Sequence, residues 1–158
     1  MVFTSSTKIK MKTILDKKTR DDLIDRIRTL SEKSHAEWGS MNVYQMIKHC
    51  VAWEELFTGK QKFRQTFMGH LFGKIALRSM IGNDNPIKHN MPTLPQLKIT
   101  ETTGDIEFEK GKWIALIEHN ALAPNPDFVH PFLGKMTVEQ IGLLAYKHTD
   151  HHLRQFNS

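Results

Sequence analysis

The chain has one cysteine, Cys50, among its 158 residues. No internal disulfide can staple it, so the fold must rest on buried apolar surface. A lone cysteine also fits a reducing compartment, and a cytoplasmic location is expected. No apolar run approaches the roughly 18 residues needed to cross a bilayer. The opening MVFTSSTKIKMKT lacks the apolar middle of a secretory signal. A membrane is therefore not an expected partner. Alternating runs of strand type are nearly missing, and so are repeats and low-complexity stretches. Several short signatures of catalysis and cofactor binding are missing too: C-x-x-C, H-E-x-x-H, G-x-S-x-G, the P-loop and G-x-G-x-x-G.

The positive charge is confined to one place. The net charge is +5, and residues 1–20 already supply it, with Lys8, Lys10, Lys12, Lys17, Lys18 and Arg20 against Asp16. The other 138 residues balance, 16 basic against 16 acidic. A nucleic-acid-binding domain carries its basic footprint on the folded body, so nucleic acid is not an expected partner. Residues 1–10 are expected to be a flexible N-terminal extension, with Met11 a possible natural start. Residues 11–158 are expected to form one domain, a length that suits a single core.

The hydrophobic period is helical almost throughout. A first helix is expected from Asp16 to Lys33, with Leu23, Ile27 and Leu30 on one face and Gly39 as the stop signal beyond it. A second begins at NVYQMIKHCVAWEELF, where Asn42 and Gln45 have capping-box spacing. A third is expected over 63–81. There Gly69 and Gly73, four apart, either admit a close neighbour or simply cost stability. A fourth spans Asp105 to Ala121. The last opens at the T-x-x-Q capping box of Thr137 and Gln140 and runs to Gln155. Residues 82–103, with three prolines, form a long loop of the kind that often lies over a site. APNPDFVHPFLGKM is a second irregular segment. The pattern predicts an all-α helical bundle.

Nine histidines give the chain its distinctive chemistry. On the last helix Val138, Ile141, Ala145, His148, His152 and Phe156 fall on one face, so two imidazoles occupy positions where the pattern asks for apolar side chains. Lys147, Asp150 and Arg154 are expected on the opposite, solvent face. On the second helix Met46, His49, Trp53 and Leu56 form a similar stripe. Two His at i and i+4 lie about 6 Å apart at the backbone and suit two ligands of one metal. A facing helix can supply the third. The competing reading is a plain bundle with hydrogen-bonded core histidines. Burying three unpaired imidazoles is costly, and a metal removes that cost by taking their lone pairs. His151 is turned about 100° from His152. It and Gln155 are candidates to hydrogen-bond the ligands from behind. Trp53 is a candidate pocket residue, as is His130, which lies in a loop that could roof the site. His35 and His89 read as surface loop, and His70 and His119 have no partner at ligand spacing. Cys50 reads as a small buried hydrophobe. Glu54 and Asp150 point away from the ligand stripes, so no general base is identified.

Three blocks, WGSMNVYQMIKH (38–49), HPFLGKMTVEQIG (130–142) and YKHTDHHLRQF (146–156), resemble the DinB/YfiT-like superfamily of metal-binding four-helix bundles, in a branch of unknown function. The likeness runs from Met11 to Phe156. It implies an up-down-down-up bundle, here with an additional short helix and two long loops, often paired into homodimers. It also implies a metal site built from one His of the second helix and the H-x-x-x-H pair of the last, carried over to His49, His148 and His152. The ending departs from the commoner H-R-x-Q, since Leu153 follows His152 and Arg154 comes one place later. Relatives include thiol-dependent S-transferases and a maleylpyruvate isomerase.

Three neutral His ligands leave open positions on an ion, the catalytic pattern rather than the structural one. Imidazole ligands suit Zn, Ni, Cu or Fe, with Zn or Ni the expected ion. The expected function is therefore a divalent-metal-dependent hydrolase or thiol S-transferase acting on a small molecule, with a thiol among the candidate substrates. The alternative is a non-catalytic metal- or small-molecule-binding bundle with a stress-related role.

Overall fold

The computed structural model describes residues 11–158, so the extension expected over residues 1–10 lies outside the described residues. Five α-helices account for most of it: α1 (Lys17–Thr29), α2 (Val43–Phe57), α3 (Phe67–Ile81), α4 (Ile106–Leu122) and α5 (Val138–Gln155). A single 3-10 turn covers Pro95–Leu97, and β1 (Val129–His130) pairs antiparallel with β2 (Gly134–Lys135). The molecule is all-α, as the period of the sequence predicts. The tiny hairpin is its one strand pairing among the described residues.

Each helix starts where a side chain can take an orphan backbone N–H. Asp16 accepts from Thr19 N, Thr66 from Gly69 N and Asp105 from Phe108 N. Asn42–Gln45 and Thr137–Gln140 are complete capping boxes, reciprocal in both cases. Two boundaries differ from expectation. Helix α1 ends at Thr29 rather than Lys33, because Leu30 is the last residue of its apolar stripe. The polar run 31–34 that follows has nothing to bury, and packing is what sustains a short helix. Helix α3 starts at Phe67 rather than 63. The residues before it are taken by the hairpin instead: Thr66 N donates to the Pro131 carbonyl and Gln65 Nε2 to that of Phe132. Gly39 is not the stop of α1. It lies well downstream at φ +82°, where its bare Cα lies against the Gln155 amide.

Helices α1, α4, α2 and α5 pack in a closed ring, each against the next. Ile27, Met46, Ile47, Trp113, Ile117 and Leu144 are fully buried members of the single core. Helix α3 lies outside that ring and packs on α5 and β2. Gly69 and Gly73 make this possible: a Cβ at either would collide with the Phe132 carbonyl oxygen. Their spacing therefore serves a close approach, to a hairpin backbone rather than to a second helix.

One expectation about α5 is overturned. Lys147 and Asp150 are buried, not solvent-facing, and only Arg154 is exposed. Helix α5 is covered on this side too. Asp150 receives Arg26 of α1 at 2.7 Å and Arg154 at 2.7 Å. The Lys147 amine donates to the backbone carbonyls of Asn83 and Asn85 in the loop after α3. Both charges are thus satisfied by partners, the condition under which burial is tolerated. No helix among the described residues is long and apolar enough to cross a membrane.

Candidate metal centre

The ring of helices sets α2 beside α5, and this contact joins the two histidine stripes. His49 from α2 and His148 and His152 from α5 are 5%, 8% and 6% exposed. One ring nitrogen from each lies within 4.8 Å of the others, and no Asp or Glu belongs to the group. The Nε2 atoms of His49 and His148 are 3.3 Å apart. Two nitrogens at about 2.0–2.1 Å from one tetrahedral zinc are separated by about 3.3–3.4 Å, so this spacing already fits a shared ion.

Two of the three rear nitrogens are held in the way that suits a metal ligand, and the third, His148 Nδ1, has no partner among the described residues. His49 Nδ1 donates to the carbonyl of Leu97 at 2.9 Å. His152 Nδ1 donates to Gln155 Oε1 at 2.8 Å, and the Gln155 amide is oriented by its own bond from Nε2 to the Trp38 carbonyl at 2.8 Å. Each bond puts the proton on Nδ1 and leaves the Nε2 lone pair for a ligand role. Burial lowers the pKa of all three imidazoles, with that of His152 pushed down to about 3. The neighbouring histidines push His148 and His152 further down, so the cluster is neutral at pH 7. The residues could hold a divalent ion on three neutral nitrogens.

The surroundings of the cluster come from loops. The long segment 82–103 does lie over the site, and Leu97 is its point of contact with His49. His89 is exposed, as expected for a surface loop, yet it stacks on Trp38 with centroids 3.8 Å apart. His151 meets Trp38 edge-on at 5.7 Å and His152 at 5.1 Å. Burial lowers its pKa, and the Ile87 backbone in the long loop pulls it the other way. Trp53 stacks flat on His148 at 4.0 Å and 13°, and the His130 ring is 5.6 Å from Trp53. His35, His70 and His119 are exposed and join no cluster. Cys50 is fully buried beside Met46, and burial raises its thiol pKa well above normal.

Sequence reasoning did not find the buried acid of this region. Glu54 is fully buried between α2 and α4, where its Oε2 accepts from Asn120 Nδ2 at 2.8 Å. It faces away from the imidazoles, as its place on the helix wheel predicts. No position of α2 is exposed, so an acid on this helix is at least partly buried whichever way it faces.

Fold and histidine cluster together define a helical bundle with a potential metal site at one helix pair. The chain belongs to the DinB superfamily, whose sequence model matches residues 15–156. No curated protein and no solved structure matches it.

Proposed function

We propose that this protein is a divalent-metal-dependent enzyme of hydrolase or thiol S-transferase type, with His49, His148 and His152 as the metal ligands. The observation that carries the reading is the division of labour on the imidazoles. The Nε2 atoms of His49 and His148 meet, while the Nδ1 atoms of His49 and His152 are each tied to an oxygen. A packing histidine is also hydrogen-bonded, but it does not need three ring nitrogens within 4.8 Å of one another. A bound ion would supply Lewis acidity, lowering the pKa of a water or thiol or polarising a carbonyl. Zinc or nickel suits an all-imidazole set. The substrate is a small molecule, with a thiol among the candidates, and the setting is cytoplasmic. A homodimer completes the reading. It is supported by the exposed apolar residues Phe67, Met68, Leu71, Phe72 and Ile75 on α3, a face that a second copy would cover.

The second reading is a bundle that binds metal or a small molecule without catalysis. It is favoured by one observation, that no carboxylate joins the histidines and the buried ones, Glu54 and Asp150, are engaged elsewhere. Elemental analysis of protein purified without an affinity tag tests the metal site. About one zinc or nickel per chain, lost in His148→Ala, supports it; sub-stoichiometric metal indifferent to His148→Ala sinks it. A screen of thiol conjugation against ester and amide hydrolysis then separates enzyme from binder.

A further inference from the structure

His130 is held in a single tautomer by its own hairpin. The backbone N–H groups of Phe132 and Leu133 both donate to its Nδ1, at 3.1 and 3.0 Å. A nitrogen accepting two hydrogen bonds carries no proton, so the proton sits on Nε2. That Nε2 is on the far side of the ring from the turn. The ring is 4% exposed and packs on Trp53, and Nε2–H has no partner among the described residues. Trp53 Nε1–H is likewise buried without an acceptor, on the ring that stacks against His148. His148 Nδ1 is the third such atom, and it carries a proton whenever Nε2 serves a metal. Three rings in contact therefore present N–H groups and no acceptor. Leaving buried donors unmade is costly, on the order of 1–3 kcal/mol each. A divalent ion on three neutral ligands would add positive charge here, and among the described residues no acidic side chain joins the cluster to compensate.

We propose that His130 and Trp53 form an oxyanion anchor beside the histidine cluster, which takes a carboxylate or similarly acceptor-only group of the substrate. The inference deepens the metalloenzyme reading and rests on it for its setting, although the two donors belong to the protein with or without an ion. His130 acts here as a fixed neutral donor. The HPFLG stretch has a physical role on this account: its turn supplies the two N–H groups that set the tautomer.

The test uses acetate as the probe and the indole N–H resonance of Trp53 as the readout, in nitrogen-15-labelled protein with the peak assigned by Trp53→Phe. Acetate should shift this resonance saturably in the zinc-loaded protein. In His130→Phe the acetate affinity should fall about tenfold to a hundredfold, the range for a hydrogen bond to a charged group, with zinc stoichiometry unchanged. His130→Gln, which keeps a donor near Nε2, should stay within about threefold of wild type. Neither variant keeps the imidazole Nδ1 that the hairpin N–H groups bond, and the two are compared at equal zinc loading, so their difference tracks the outward donor. Equal affinities in wild type and His130→Phe would overturn the proposal, as would the absence of any acetate-dependent shift. If His130→Phe does not fold, Trp53→Phe serves instead. It keeps an aromatic ring against His148 but removes the N–H together with part of the indole, so it is read at unchanged zinc stoichiometry; calorimetry with acetate should show the same loss, and an unchanged affinity refutes the anchor. If wild type binds no zinc, the metalloenzyme reading fails by itself. The metal-free titration then decides the anchor: a shift that His130→Phe abolishes upholds it, and no shift overturns it.

Discussion

Replacing Glu54 by Gln should change how stability depends on pH, by an amount that the structure allows to be worked out. Glu54 is fully buried; Oε2 accepts from Asn120 and Oε1 has no partner among the described residues. Burial pushes its pKa from 4.5 up to about 7, against a smaller opposite pull from the Asn120 hydrogen bond. The folded state therefore holds this proton more tightly than the unfolded chain. Its contribution is fully present below pH 4.5 and is lost as pH rises to about 7. At about 1.4 kcal/mol per pH unit, the loss comes to about 3 kcal/mol. Gln cannot ionise, so Glu54→Gln escapes it. The assay is urea unfolding of metal-stripped wild type and variant at several pH values between 4.5 and 8.5. The Gln amide adds its own constant offset, for its extra donor must be buried. The informative quantity is therefore how the difference between the two proteins moves with pH. It should shift by about 3 kcal/mol in favour of the variant between pH 4.5 and 7.5, then level off. The buried histidines titrate over part of this range, but they are common to both proteins and cancel. Parallel stability profiles, within about 0.5 kcal/mol at every pH, would refute the reasoning.

Gln155→Ala removes the acceptor that orients His152, and should weaken metal binding 10- to 100-fold in competition with a chromogenic chelator; an unchanged affinity would show that Gln155 only packs. Gly73→Ala drives a Cβ into the Phe132 carbonyl oxygen and should cost about 1–3 kcal/mol in urea unfolding. Gly111→Ala, at a helical glycine with open space around it, is the control and should be neutral or stabilising by up to about 1 kcal/mol. Equal losses at the two positions would mean that the α3–hairpin contact is not tight.

The ligand candidates were legible because helical spacing alone fixes side-chain direction. His148 and His152 share a face whatever surrounds α5, and His49 lies on the apolar stripe of α2 whatever α2 meets. The two capping boxes were legible for the same reason, since a cap is a contact across three residues. What holds the imidazoles was harder to see. Gln155 could be nominated, because it lies within one turn of His152. The partner of His49 is a backbone carbonyl in a loop 48 residues away, and a carbonyl has no identity in the sequence. Likewise nothing in HPFLG says that Nδ1 of His130 will receive two N–H groups, because the turn that aims them exists only once the hairpin closes.

The misplaced charges on α5 carry a related lesson. A helical wheel divides a helix into an inside and an outside, which holds when only one side is covered. The wheel treats a charge as a solvent marker, yet Asp150 is held by Arg26 of α1 and Lys147 by carbonyls of the loop after α3. Charges with such partners are no evidence of exposure. They fasten α1 and the long loop to the helix that bears two of the three histidines. Loosening either clamp should therefore reach the site through the backbone. Lys147→Met keeps much of the side chain's bulk and releases the two loop carbonyls. It should raise hydrogen exchange at the amides of residues 83–97 and, through Leu97, weaken the hold on His49. Protection at Leu97 equal to that of wild type would mean that the loop is anchored without Lys147, by the His89–Trp38 stack and its bonds to α2.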